Sequence, residues 1–154
     1  MVGEPGVAED LARIGPRFPL MADERILLFG YETNPPEIGV LERRSMPRYP
    51  AASVRGRAEE AASEALIEDS AEQFVVHFDV DVIDFVDFPI ADVPQINVGL
   101  TFEEAMACLT AFAASPGFGR LVVTEFNPDH ADEDGELAAT FAEALTSALA
   151  GTGP

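Results

Sequence analysis

Two aspartates close an apolar run in the middle of the sequence. Gln73 to Val82 reads QFVVHFDVDV, with Asp79 and Asp81 at its end and Asp84 just beyond. In a strand, side chains two apart point the same way, so His77, Asp79 and Asp81 are predicted to share a face. Two carboxylates on one face of a buried strand repel each other and resist desolvation. A hard divalent cation such as Mg²⁺, Ca²⁺ or Mn²⁺ neutralises such a pair through its oxygens. The plain alternative is that the strand has already left the core and both aspartates are hydrated. A second run, Arg120 to Phe126 (RLVVTEF), places Leu121, Val123 and Glu125 on one face. Glu125 then arrives at the same end of the sheet, either to hold a cationic group or to accept amides of the Asn127-Pro128 turn. His77 reaches the metal side by position, or is a buried imidazole bonded to the backbone, the role its setting favours.

The elements that must carry these residues follow from periodicity. Arg25 to Tyr31 (RILLFGY) reads as a buried strand followed by a turn at Asn34-Pro35-Pro36. Arg44 to Val54 reads as loop with a short edge strand. Ala58, Ala61, Ala62, Ala65 and Leu66 recur at helical spacing over 56–68, a small-residue face. Gln73–Val82 has the composition of a strand buried on both faces. A loop rich in Pro and Asp spans Asp84 to Gly99. Thr101-Phe102-Glu103-Glu104 is a capping box, and its helix carries Phe102, Ala105, Met106, Leu109 and Phe112 as an apolar stripe, ending at Ser115-Pro116-Gly117. Cys108 on that helix reads as a small buried residue. After the strand ending at Phe126, a last helix presents Leu137, Phe141, Leu145 and Leu149. Strands alternating with helices predict an α/β fold with a mostly parallel sheet flanked by helices. Ligands in such folds bind at the carboxyl ends of strands, where Asp79, Asp81 and Glu125 fall.

Composition bounds the partners. The 154 residues hold 9 basic and 28 acidic side chains, a net charge of −19, and no lysine. Up to Arg57 eight arginines balance eight acids; from Ala58 onward only Arg120 opposes twenty. Nucleic acid and anionic membrane need phosphate-neutralising cations and are excluded as partners. Acidic runs such as Glu59-Glu60 and Asp132-Glu133-Asp134 read as solvated surface. No basic segment followed by an apolar stretch opens the chain, and no run is long enough to span a bilayer. With one cysteine there is no internal disulfide. A soluble, cytoplasmic protein is expected.

Three known chemistries use an aspartate pair of this kind. A haloacid-dehalogenase-like phosphatase also begins with an apolar strand and D-x-D, but it wants a basic residue at the phosphate, and only Arg120 follows the motif. A nucleotide-sugar transferase D-x-D lacks its phosphate loop here. Asp132-Glu133-Asp134-Gly135 lacks the alternating ligands of an EF-hand. The third resemblance covers more of the chain. His77-Phe78-Asp79-Val80-Asp81-Val82-Ile83-Asp84 resembles the F-D-x-D-x-x-D signature of the arginase, agmatinase and formiminoglutamase (ureohydrolase) family. Gly99-Leu100-Thr101-Phe102-Glu103-Glu104 is similar to its G-L-T-x-x-E helix start, and Glu125-Phe126-Asn127-Pro128 to its E-x-N-P strand end. Phe29-Gly30-Tyr31 with Pro35-Pro36-Glu37 resembles an earlier strand and turn of that family. The resemblance runs from about Arg25 to Leu149.

The resemblance implies the C-terminal part of an arginase-like three-layer α/β/α sandwich, with 1–154 a single domain incomplete at its N-terminus. It implies two Mn²⁺ ions and hydrolysis of a guanidino, amidino or formimino compound. By the same resemblance Asp79 bridges the two metals, Asp81 binds one of them, and Glu125 faces the cationic substrate. The chain departs from the family at Asp84-Phe85, where an Asp-Pro step is usual, and at His77, where a small residue is usual. The D-x-H-x-D motif and the glycine-rich stretch ending in His, which supply the other four ligands, are absent; His77 and His130 are the only histidines. Two expectations result. One is a ureohydrolase completed by a complementary half. The other is a non-catalytic interaction or regulatory protein without a full metal site. A half sheet leaves an unpaired edge and uncovered apolar surface, so low solubility, homo-oligomerisation or pairing with a complementary half is expected.

Overall fold

Small and β-branched residues decide how the elements meet. The computed structural model describes residues 15–18, 20–33, 38–68, 73–131 and 133–150; the turn expected at Asn34-Pro35-Pro36, Glu37 and Asp132 lie outside them. In order, the elements are β1 (Leu28–Tyr31), α1 (Ile38–Leu41), β2 (Arg48–Pro50), α2 (Ala51–Val54), α3 (Ala58–Glu68), β3 (Phe74–Asp79), α4 (Phe102–Ala113), β4 (Phe118–Thr124) and α5 (Glu136–Leu149). The segment Arg44–Val54 is more ordered than a loop. Arg48–Pro50 pairs with β1, and α2 follows at once.

The strands form two parallel pairs, β1 with β2 and β3 with β4. In the second pair Val76 opposes Leu121, Phe78 opposes Val123 and Asp79 opposes Thr124. The α/β, parallel-strand architecture expected from the sequence is therefore present. No helix among the described residues is long and apolar enough to cross a membrane.

The alanine face of α3 explains the closest helix contact. Ala61, Ala62 and Ala65 are fully buried, which lets α3 lie tightly against α4. Cys108 of α4 is buried there, its Sγ 3.5 Å from the Ala58 carbonyl oxygen. Burial pushes its thiol up to about 12, so the thiolate is not a nucleophile at neutral pH. The core continues through Phe78, Val80, Ile83, Ile90 and Leu100 to Phe141 of α5. Phe88 stacks on Phe102 with ring centroids 4.0 Å apart.

The start of α4 forms as expected. Thr101 Oγ1 accepts from the Glu104 amide at 3.1 Å, and Glu104 Oε2 accepts from the Thr101 amide at 3.0 Å. The Gly56 amide also donates to Glu104 Oε1 at 2.6 Å, and Asp87 Oδ2 takes the Phe102 amide at 2.7 Å. Burial alone would raise the Glu104 carboxyl, but these amides and Arg55 outweigh it and hold its pKa low.

One expectation is corrected. β3 is not buried on both faces: Val75 on β3 and Val122 on β4 are 58% and 47% exposed. Alternation puts Phe78 into the core and Val75 on the opposite side, and nothing among the described residues covers that side.

Gly99 is required by a close approach. The Asp84 amide donates to the Leu100 carbonyl at 2.7 Å and the Leu100 amide to that of Val82 at 2.8 Å, drawing two chain segments together. A Cβ on Gly99 would lie 2.5 Å from the Asp84 nitrogen and 2.8 Å from the Ile83 carbonyl carbon, both backbone atoms. Gly99→Ala is therefore expected to cost about 1–3 kcal/mol, read as a lower urea midpoint. Gly39→Ala, which meets nothing within 4 Å, should leave the midpoint unchanged or raise it. Equal midpoints for the two variants would contradict this packing.

Candidate functional site

The two aspartates do not simply continue the alternation of β3. The strand stops at Asp79, and Val80–Val82 is a single 3-10 turn. Asp79 caps it, its Oδ1 accepting from the Asp81 amide at 3.2 Å. A short acidic side chain bonding two residues ahead favours a turn over extended chain. So the expectation that His77, Asp79 and Asp81 line one strand face holds only for the first two; Asp81 is carried on the turn. Its Oδ1 in turn accepts from the Val93 amide at 3.3 Å, tying it to the loop after β3.

Glu125 needs a similar correction. β4 ends at Thr124, paired with Asp79, so Glu125 does reach the same end of the sheet. It is not the next residue of the strand face, because its φ of 57° lies in the left-handed region. Such a conformation is costly for a residue with a Cβ and is held here from outside. The Asp92 amide donates to the Glu125 carbonyl at 2.8 Å, and Ala91 bridges to Phe126 in antiparallel fashion. The carboxylate does not cap the following turn. The Asn127 amide goes to the Ile90 carbonyl at 2.9 Å and the Asp129 amide to Asn127 Oδ1 at 3.0 Å.

A third aspartate joins the site that spacing did not reveal. Asp92 Oδ1 accepts from Asn127 Nδ2 at 2.7 Å. Its only signal in the sequence was membership of an Asp- and Pro-rich loop, which has no periodicity to place it. The electrostatic result appears at Asp81. Burial raises its carboxyl above the ordinary range; the Val93 amide opposes this, and the nearby charges of Asp79, Glu125 and Asp92 add to the rise. These acids thus crowd one field where a cation would relieve them.

The histidines are placed differently from expectation. His77 is exposed rather than buried, and its Nε2 meets Thr124 Oγ1 at 2.7 Å rather than the backbone. It lies on the uncovered side of β3 with Val75, which explains both facts. His130 donates from Nδ1 to the Ala91 carbonyl at 2.7 Å and sets its ring edge against Phe85 at 5.7 Å. That bond fixes its Nδ1–H form and clamps the loop.

The donor set fits a hard divalent ion in kind and falls short in number. Asp79 and Asp81 each spend one oxygen on a backbone amide. Among the described residues no three His, Cys, Asp or Glu side chains gather to hold a metal. Two carboxylates offer fewer oxygens than the roughly six that a hard divalent ion takes, even when both are bidentate. The phosphatase alternative loses its cation: Arg120 opposes Val75, about 13 Å back along β3 from Asp79 at the usual rise per residue.

Solved structures with the same arrangement are arginases and a formiminoglutamase. Arginase from Bacillus caldovelox superposes with a TM-score of 0.77 at 22% identity, covering 94% of this chain and 48% of that one. Arginase from Bacillus subtilis gives 0.74 at 20%, covering 89% and 49%. Formiminoglutamase from Trypanosoma cruzi, solved with Mn²⁺, gives 0.68 at 19%, covering 86% and 46%. These likenesses show the fold. The chain spans about half the length of the structures it matches. No curated protein matches it in sequence. The model of the arginase family matches residues 14–151, a span that holds the aspartate signature, the capped helix start and the Glu125 strand end, and on that match the chain belongs to the arginase family.

Proposed function

We propose that this chain is a ureohydrolase-like protein that carries one part of a binuclear manganese site. It acts, when completed by a complementary N-terminal half, on a C–N bond of a small cationic guanidino or amidino compound. The observation that carries this is the meeting of Asp79, Asp81 and Glu125 at the carboxyl ends of two paired parallel strands, with the Asp81 carboxyl raised by burial and further by its acidic neighbours. In this proposal residues 1–154 are one incomplete arginase-like domain. Asp79 and Asp81 hold metal through the oxygens that their backbone bonds leave free. Manganese supplies activation of water at neutral pH. Glu125 pairs with the cationic carbon group of the substrate, and its left-handed backbone aims it there at a local cost in stability. The buried, protonated Cys108 suits a reducing, cytoplasmic setting. A second reading, a non-catalytic interaction or regulatory protein, is supported by the shortage of donors alone.

Titration calorimetry with Mn²⁺ separates the two. Under the first reading the chain gives a binding heat that the double variant Asp79→Ala/Asp81→Ala lacks; identical heats would remove the retained site.

The raised Asp81 carboxyl also makes a signed prediction. Its folded pKa lies above the unfolded value, so the folded form binds the extra proton and loses relative stability as pH rises through that window. Asp81→Asn removes the repelled charge, and should raise the urea midpoint at pH 7. The gain should vanish as pH falls below the ordinary Asp value of 3.8. A variant less stable than the parent at pH 7 would mean that the charge is satisfied.

Glu125→Gly relieves the left-handed strain and one of the repelling charges. It should stabilise the fold by roughly 1 kcal/mol in the same denaturation experiment. An unchanged or lower midpoint would show that the conformation is not strained.

A further inference from the structure

Glu125 keeps its left-handed backbone only while its neighbours hold it there. The Asp92 amide donates to the Glu125 carbonyl at 2.8 Å, the Asn127 amide donates to the Ile90 carbonyl at 2.9 Å, and Ala91 bridges to Phe126. All three contacts join residues 90–92 to residues 125–127, so the conformation depends on those two segments staying together. Ile90 and Ala91 are fully buried, and a buried carbonyl without a donor is costly. The Asn127 amide serves the Ile90 carbonyl. The donor for the Ala91 carbonyl comes from a side chain.

That donor is His130. It stands at the end of the single 3-10 turn Pro128–His130, which Asn127 Oδ1 caps by accepting from the Asp129 amide at 3.0 Å. The turn brings Nδ1 of the ring to 2.7 Å from the Ala91 carbonyl oxygen, and Phe85 packs against the ring at 87°, which holds its plane. On the opposite edge of the ring, Nε2 lies 3.5 Å from Asn127 Nδ2, which also donates to Asp92 Oδ1 at 2.7 Å. With Nδ1 donating to a carbonyl, Nε2 of the neutral ring is left as the acceptor for that amide. A donor and an acceptor on two edges of one rigid ring suit this place; lysine and arginine offer donors alone.

We propose that His130, through the Ala91 carbonyl and Asn127, is a positioning residue for Glu125. Its Nδ1–H tautomer latches residues 90–92 onto the end of β4 and so keeps the Glu125 carboxylate aimed. The role assigned to His130 rests on the reading of Glu125 as a substrate-pairing group; the latch itself needs neither metal nor substrate. Because a free neutral histidine favours the Nε2–H form, the tautomer is a signature that the latch has to impose.

Nuclear magnetic resonance on the full chain in EDTA tests this. In the unaltered chain, with the ring neutral, nitrogen–proton correlations should show His130 protonated at Nδ1 and bare at Nε2. An Nε2–H ring would overturn the proposal before any variant is made. Amide exchange is then compared among His130→Ala, His130→Asn and His130→Gln, since the asparagine amide can place a donor near the Nδ1 position and the longer glutamine cannot. Alanine and glutamine should speed exchange of the Asp92 and Asn127 amides by about tenfold or more and move the Glu125 amide–Hα coupling out of the left-handed range. Asparagine should keep both close to the unaltered chain. The Glu104 amide, in the cap of α4, should hold its rate throughout. If it speeds as much as Asp92, the effect is general and the latch is lost as an explanation. Unchanged Asp92 and Asn127 amides in His130→Ala, or equal effects of asparagine and glutamine, would also overturn it. Should the alanine variant not fold, the tautomer and the asparagine–glutamine comparison still decide. Every readout is free of metal, so a failed Mn²⁺ titration and a failed latch are told apart.

Discussion

A hydrogen bond of 3.2 Å, from the Asp81 amide to Asp79 Oδ1, ends β3 and sets the course of the chain beyond it. Had the strand run on, Asp81 would share the uncovered face with His77 and Val75. Capped at Asp79, the chain turns, buries Val80 and Ile83, and hands Asp81 to the loop above. The carboxylate that stops the strand is also the one proposed to hold metal. Its two oxygens divide these duties, because one bonds the turn and the other has no need to.

The loop from Asp84 to Gly99 then sets the rest of the site. It is fastened at Asp81 through Val93, at the end of β4 through Asp92 and Ala91, and at His130 through the Ala91 carbonyl. At its far end Arg55 donates to the carbonyls of Gly99 and Val98. On the loop side every one of these bonds uses a backbone group, so together they fix its path. They force Glu125 into its left-handed conformation and bring Asp92 toward Asp81. The acidic cluster is thus a product of loop closure as much as of strand spacing.

That division explains how much of the molecule was legible in its sequence. Periodicity and composition placed β1, α3, α4, β4 and α5, because each turns apolar residues toward the core and α4 carries its own capping box. The ends of strands were less legible. Asp81 and Glu125 each sit one or two residues beyond regular pairing, where a side-chain cap or a neighbouring loop outweighs alternation. His77 misled for a related reason: the apolar residues around it suggested burial on both faces, which depends on a covering layer that the described residues do not provide. Asp92 had no pattern to announce it. The family motifs ran in the right order, and they identified the neighbourhood of the site better than the geometry of any one side chain.

The charge asymmetry bears on the open face of β3 and β4. Among the described residues, Val75 and Val122 lie exposed beside strand edges that have no partner, an arrangement that favours cross-strand association. The same half of the chain, from Ala58 onward, carries the whole net charge of −19. Two molecules approaching through these edges therefore meet strong mutual repulsion before any backbone bond can form. That repulsion acts over about 8 Å at physiological ionic strength and shrinks as salt is added. Colloidal behaviour is then governed by counter-ions: dilute buffer keeps the edges apart, while salt or multivalent cations remove the barrier that the acidic surface provides.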